Sequence, residues 1–372
     1  MYFFTFFQFI NTHGNGKRGH DLIKQYDVFV GCYGSEEEDL IHWLSFDSDN
    51  GELHKTASIS GIENPSFVTL HPSLNRLYAV SEVEKGQIVS YEIDFSNASL
   101  IELNRQSAHG HGPCYSEVKD SGFLFTANYG EGNVIVQPLT EAGTIECVTD
   151  IHDYSETAAS LGVKSHPHTV RNIPGTNRYV VADLGTNRLI VYEFDEDQAK
   201  LVFVDETLTG DQSGPRHVTF HPSLPIIYVI NELDSSILTY SFKQDGGSLK
   251  QIQKVKTIPN EYTGENYCAD IHVAPSGLFL YASNRGHHSI ASFIVSTDGT
   301  LRVLDNIPSG GEWPRSFVIV PDGKFLLVAN EHTNQINIMR IHEDGLLSDT
   351  GKSYLVNRPV CVTIIDRESL NL

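Results

Sequence analysis

The sequence predicts an all-β chain folded as a seven-bladed β-propeller closed by strands from both termini. Three observations predict it. One segment type recurs at a regular spacing along the 372 residues. Its apolar residues alternate as strand residues do, with β-branched and aromatic enrichment and no long helical period. A last copy is incomplete, and the N-terminal region holds the strands it lacks.

In chain order the copies are NPSFVTLHPSLNRLYAVSE from Asn64, GPCYSEVKDSGFLFTANYG from Gly112 and HPHTVRNIPGTNRYVVADLG from His166. GPRHVTFHPSLPIIYVINEL from Gly214, CADIHVAPSGLFLYASNRG from Cys268 and WPRSFVIVPDGKFLLVANEH from Trp313 follow. Each opens on a small residue or proline, runs through an apolar strand and a turn, and ends a second strand on Asn, Asp or Ser. The opening positions are Pro65, Pro113, Pro167, Pro215, Ala269, Pro314 and Pro359, spaced 45 to 54 residues apart. That period is one four-stranded propeller blade. Outer strands follow the pair, as in QIVSYEI with SLIELNRQS and RLIVYEF with KLVFVDETL. The partial copy RPVCVTIID from Arg358 is completed by DVFVGCYG and IHWLSFD, so that the two termini share a blade and the closure protects the sheet edges. Length alone suggests two or three domains; the repeat predicts a single domain over residues 26–372. Residues 1–25, including the aromatic run MYFFTFFQFI, are expected to form an extension outside the fold, since they lack the layout of a signal peptide.

Lys and Arg number 26 against 47 Asp and Glu, a net charge of −21. Such a balance excludes general nucleic-acid binding, which needs basic patches to displace counterions, and docking on anionic membranes. A small anionic substrate stays open, because a few local arginines can override the global field. The five dispersed cysteines form no Cys-x-x-Cys and are expected to be free thiols in a reducing, cytoplasmic setting.

The register locates a candidate site. Antiparallel strands joined by a hairpin bring the start of one and the end of the other together. Residues one past each opening position therefore gather at one mouth of the central channel: Ser66, Cys114, His168, Arg216, Asp270, Arg315 and Val360. The ends of the second strands add Glu82, Tyr129, Leu184, Glu232, Arg285 and Glu331. Within blades, this pairs Arg216 with Glu232, Asp270 with Arg285, and Arg315 with Glu331. His109 and His111 sit on a loop entering the same mouth. The expected substrate-binding residues are Arg315, Asp270, His109, His111 and Glu331. The opposite mouth carries hairpins opened by His71 and His221 and is expected to be poorer in chemistry, its histidines serving the turns. Asn128, Asp183, Asn231, Asn284 and Asn330 recur at one repeat position and are read as turn formers that hydrogen-bond local backbone.

At these motifs, SHPHTV, SGPRHVTFHP, YVINEL, CADIHVAPSGLFLYASNRG and WPRSFVIVPDGKFLLVAN, the chain resembles the lactonase/cycloisomerase propeller family over about residues 27 to 366. That family includes a bacterial 6-phosphogluconolactonase and a fungal carboxy-cis,cis-muconate lactonizing enzyme. The resemblance implies seven blades and places catalytic roles on His168, Arg216, Glu232 and Arg285. It does not choose between the two activities; hydrolysis of a sugar lactone, with 6-phospho-D-glucono-1,5-lactone the leading substrate, is preferred because that substrate is widespread in central metabolism. The alternatives are a cycloisomerase acting on a di- or tricarboxylate and a non-enzymatic binding platform. Glu232 or His168 would serve as acid or base, His168 titrating near the working pH. Arg216 and Arg285 would bind and stabilise negative charge, and Arg315 a remote phosphate. No cofactor is expected: the glycines lie in turns without a strand-to-helix phosphate loop, and no loop has the ligand spacing of a metal site.

Overall fold

The computed structural model describes residues 24–243 and 247–367. Seven four-stranded antiparallel sheets account for the described strands. Blade 1 holds Phe67–Leu70, Arg76–Ser81, Gln87–Asp94 and Ser99–Ser107. Blades 2 to 6 begin at the inner strands Pro113–Lys119, Pro167–Asn172, Pro215–Phe220, Tyr267–Val273 and Pro314–Ile319. Blade 7 combines Pro359–Ile365 from the C-terminal end with Gln25–Cys32, Ile41–Asp47 and Glu52–Ile59 from the N-terminal end. The first strand of the fold thus starts at Gln25; residues 1–23 of the expected extension lie outside the described residues.

Apolar burial lies between blades. Each of the seven hydrophobic clusters joins one adjacent pair of blades, such as Phe125, Val134 and Val136 of blade 2 with Tyr179, Val181 and Phe194 of blade 3. No blade can bury its own faces, so the ring stands or falls as a unit. Recurrent tyrosines tie the second strand of one blade to a turn of the next: Tyr78 donates to Gly143 O at 2.9 Å, Tyr228 to Gly299 O at 2.8 Å and Tyr281 to Gly345 O at 3.0 Å. At the closure a Cβ on Gly31 would sit 2.1 Å from the Pro65 carbonyl oxygen, so blade 7 meets blade 1 only with glycine there.

The inner strands carry a repeated bulge. Pro215 pairs with Asn231, and the next paired residue, His217, faces Ile230, leaving Arg216 unpaired. The same step frees Cys114, His168 and Arg315. Proline suits the opening position because a strand edge toward the channel has no partner for its missing N–H. A bulge turns the freed side chain out of the ladder, here toward the channel mouth.

Blade 5 corrects the sequence reading by one residue. Cys268, not Ala269, pairs with Asn284, and Ile271 with Ala282. The residue after the opening position is therefore Ala269. Asp270 moves one place deeper, to the position His217 holds in blade 4. The misreading came from aligning small residues by eye where proline is missing.

Candidate active site

At the mouth where inner strands begin, four arginines meet three carboxylates. Arg216 Nε lies 3.0 Å from Glu232 Oε2, and Arg285 Nη2 lies 2.7 Å from the same oxygen. One carboxylate therefore bridges two blades. Arg315 approaches Glu82 at 3.9 Å, and Arg358 bonds Glu331 at 3.0 Å. The surplus is one positive charge, in a chain of −21. Aromatic walls hold the guanidinium groups in place: Arg315 and Arg358 lie over Tyr33 at 5.3 and 5.1 Å, and Arg285 over Trp313 at 5.4 Å. Such contacts favour a planar, weakly hydrated cation.

Of the within-blade pairs expected, Arg216 with Glu232 forms. Arg285 pairs instead with Glu232 across the blade boundary, because the shifted register carries Asp270 away from it. Arg315 pairs with Glu82 rather than Glu331, which Arg358 occupies. Tyr33 completes this side by donating to Glu82 Oε2 at 2.9 Å. His109 and His111 are exposed, and their hydrogen bonds are made by the backbone, to Ser107 and Glu131.

Braces behind the mouth hold the loops that form it. Asn128, Asn284 and Asn330 are fully buried and donate to Ala108 O, Thr257 O and Ser309 O, the loops that arrive from the preceding blades. Asp183 accepts from the backbone N–H of His166 and Gly185. Gly286, behind Arg285, has φ +106°, and a Cβ there would lie 2.1 Å from the Glu265 carbonyl oxygen.

Burial and charge set the protonation states. Burial alone would raise the Glu232 carboxyl, but Arg285 and Arg216 outweigh it and hold it below the usual range. Burial, then repulsion from Arg285 and Arg315, lowers Arg216 to about 10, so it stays charged at neutral pH. His168 is pushed well below its ordinary value by burial, with Arg216, His217 and Arg315 adding to the effect. The expectation that His168 titrates near the working pH is therefore overturned: an imidazole buried among arginines stays neutral. Tyr129 packs against it at 5.5 Å and stacks on His166 at 4.4 Å.

Tyr33, Trp313, Arg358 and His166 are members that the sequence reading did not single out. Three of them flank an opening proline or the position before it, which was the available signal; Tyr33 lies in a loop that only ring closure brings to the mouth.

Below the mouth the channel opens into a cavity of about 540 Å³ that reaches the opposite end. Tyr115, Glu117, Arg171, His217, Asp270 and His272 line it. The opposite mouth is thus richer than expected, because inner-strand side chains beyond the bulge also face the lumen. Its charges, however, are largely satisfied: Arg171 faces Glu117 at 3.5 Å and donates to Val218 O at 2.9 Å. Asp270 accepts from His217 at 2.9 Å and from the Phe317 N–H at 3.2 Å. His71 and His221 serve the hairpin turns, each Nδ1 accepting two backbone N–H groups. Among the described residues no three His, Cys, Asp or Glu side chains are placed to hold a metal ion.

Residues 27–364 match the family described as lactonase, 7-bladed beta-propeller. A Bacillus subtilis protein named 6-phosphogluconolactonase is 31% identical over 351 residues, covering 92% of this chain and 99% of its own. A Formosa agariphila protein of the same name is 31% identical, covering 89% of this chain and 97% of its own. Among solved structures, a Pseudomonas aeruginosa periplasmic gluconolactonase superposes with a TM-score of 0.86 at 26% identity, over 92% of this chain and 99% of that one.

Proposed function

The chain belongs to the seven-bladed lactonase family, and from that premise we propose that it hydrolyses 6-phospho-D-glucono-1,5-lactone to 6-phosphogluconate at the arginine-lined mouth. One observation carries the reading: the Glu232 carboxylate held between Arg216 and Arg285 at 3.0 and 2.7 Å, beside a further arginine pair. The relatives named 6-phosphogluconolactonase support the substrate class.

The chemistry follows from the charge states. Ionised Glu232 takes a proton from the attacking water as its oxygen bonds the lactone carbonyl carbon. The carbonyl π electrons move to oxygen, where Arg285 and Arg216 stabilise the anion. The intermediate collapses, the ring C–O bond breaks, and Glu232 returns the proton to the departing alkoxide. With its carboxyl held low, Glu232 is a weak base, so the arginines carry the larger share of the acceleration. Arg315 and Arg358, both packed against Tyr33, bind the phosphate bidentately. Neutral His168 acts as a hydrogen-bonding wall, not as a titrating acid. The mouth carries one arginine more than its carboxylates and meets solvent at Arg358, which suits a phosphorylated lactone better than the lower cavity. No helix among the described residues is long and apolar enough to cross a membrane. Five free thiols, of which only Cys147 is exposed, support a reducing compartment.

Purified protein should speed loss of the phosphorylated lactone above its spontaneous rate, with little change from about pH 6 to 8, since neither His168 nor Glu232 titrates there. No acceleration across that range refutes the proposal. Turnover of a carboxymuconate with no lactone hydrolysis would transfer the site to the cycloisomerase reading.

A further inference from the structure

His217 and Asp270 lie one layer below the mouth, outside the reacting groups just described. The Asp270 carboxylate receives several donors. Its Oδ1 lies 2.9 Å from His217 Nδ1 and 3.0 Å from the Ile271 N–H. Its Oδ2 lies 3.2 Å from the Phe317 N–H and 3.2 Å from Ser316 Oγ; His272 Nε2 is equally near but makes no hydrogen bond to it. The other ring nitrogen of His217, Nε2, is 3.2 Å from Arg216 Nη1. That same Nη1 donates to Ala269 O at 2.6 Å.

A carboxylate can only accept, and a guanidinium can only donate. The ring between them must then carry its proton on Nδ1 and leave Nε2 bare. The reverse tautomer would face Nε2–H against Arg216 N–H and leave Nδ1 without a donor on Asp270. Burial, with Arg216 next in weight, lowers His217 to about 4, so the ring is neutral at pH 7 and has a tautomer to choose. Its plane is fixed by edge contacts with His168 at 5.2 Å and Tyr115 at 5.5 Å.

We propose that Asp270 and His217 are positioning residues for Arg216: the carboxylate fixes the imidazole tautomer whose bare nitrogen anchors one guanidinium arm, aiming the rest of the group at Glu232. The chain Asp270–His217–Arg216 crosses from blade 5 to blade 4, so it also sets where the bulged arginine sits relative to Arg285. The inference rests on Arg216 belonging to the lactone-hydrolysing mouth.

The test is Asp270→Asn. Apart from His217, whose tautomer can adapt, Oδ1 holds one donor, the Ile271 N–H, and Oδ2 holds two, the Phe317 N–H and the Ser316 hydroxyl, so the amide oxygen stays at Oδ2 and the amide nitrogen faces His217. That drives the imidazole to the Nε2–H form and opposes Arg216 with a donor. In wild type, nitrogen-15 shifts of histidine-labelled protein should show His217 protonated at Nδ1, the signal assigned by its loss in His217→Gln. In Asp270→Asn the pattern should reverse, and kcat should fall about 10- to 100-fold, by analogy with the loss of a carboxylate that orients a metal-ligating histidine. KM should move much less. Adding His217→Gln to Asp270→Asn puts an amide oxygen opposite Arg216 with no tautomer to reverse, and should recover at least about tenfold in kcat.

A purely structural Asp270, holding Phe317 and Ile271, would not be rescued by a change at position 217; failure of that rescue overturns the proposal, as does an Nε2–H tautomer in wild type. If Asp270→Asn does not fold, His217→Leu must lose at least about tenfold more kcat than His217→Gln, and equal loss in both overturns it. If wild type turns over no lactone, the functional reading falls by itself. The tautomer and the exchange rate of the Arg216 Nη protons, slow in wild type and faster in Asp270→Asn, then decide the positioning role, and unchanged exchange refutes it.

Discussion

Replacing Glu232 by Gln removes the one charge shared by two buried arginines and keeps the side-chain shape. Arg216 and Arg285 are both buried, and the carboxylate oxygen lies 3.0 and 2.7 Å from them. At an effective dielectric near 20, each pair attracts by about 4 kcal/mol or more, most of it offset by desolvation. Breaking a buried pair from one side costs about 3–5 kcal/mol. The amide still accepts one hydrogen bond and the mouth meets solvent, which argues for the low end, about 3 kcal/mol. With a melting entropy near 0.8 kcal/mol/K for a chain this long, Tm should fall by about 4 °C at pH 7. The loss is conditional on pH. Since the folded carboxyl is held low, its contribution is complete above the pH where a free glutamate ionises, about 4.3, and disappears as pH drops through the lowered folded value. Calorimetry of both proteins at pH 7 and near pH 3 should therefore show a gap that narrows on acidification. In the lactone assay the variant should lose about 10²- to 10⁴-fold in kcat, the range for a general base. A kcat within about threefold of wild type, or an unchanged Tm at pH 7, refutes the account of Glu232 as both bridge and base.

Three further outcomes follow from other parts of the ring. Arg315→Ala should raise KM for the phosphorylated lactone by about 10-fold or more, the worth of a charge-assisted hydrogen bond, and leave the unphosphorylated lactone nearly unaffected; equal effects on both substrates would remove Arg315 from phosphate recognition. His71→Ala should cost about 1–2 kcal/mol at pH 7 by orphaning the Ser73 and Leu74 N–H groups. Burial lowers His71, so its contribution is present above about pH 6.5 and is lost as pH falls through the lowered value; a gap to wild type that widens in acid would contradict the cap. Titration with a thiol reagent should modify Cys147 alone in the native protein and all five cysteines after denaturation; rapid reaction at Cys114 would show that the mouth admits the reagent past its arginines.

Much of the ring was legible because a blade is a local object. The alternation of VTL and LYAV, the turn at HPSLNR and the Asn or Asp closing the second strand are all set within about twenty residues. The mouth residues His168, Arg216 and Arg315 were legible too, since they follow a proline at a fixed place. The fifth blade has no such proline, and there the reading slipped by one residue, moving Asp270 from the second layer to the mouth and pairing it wrongly with Arg285. Ion-pair partners were harder still. Glu232 chooses Arg285 from the next blade over a second group from its own, and Arg315 chooses Glu82 from blade 1.

By itself, then, the sequence determined the blade count, the closure through RPVCVTIID and DVFVGCYG, and which end of the channel gathers arginines. Periodicity and strand alternation are properties of neighbouring residues, and neighbours survive in a linear string. The tertiary structure alone decided which carboxylate answers which arginine, that His168 is neutral, and that Asp270 reaches Arg216 through His217. Those outcomes depend on distances between blades and on how far each group is removed from water, and both are fixed only when the ring closes.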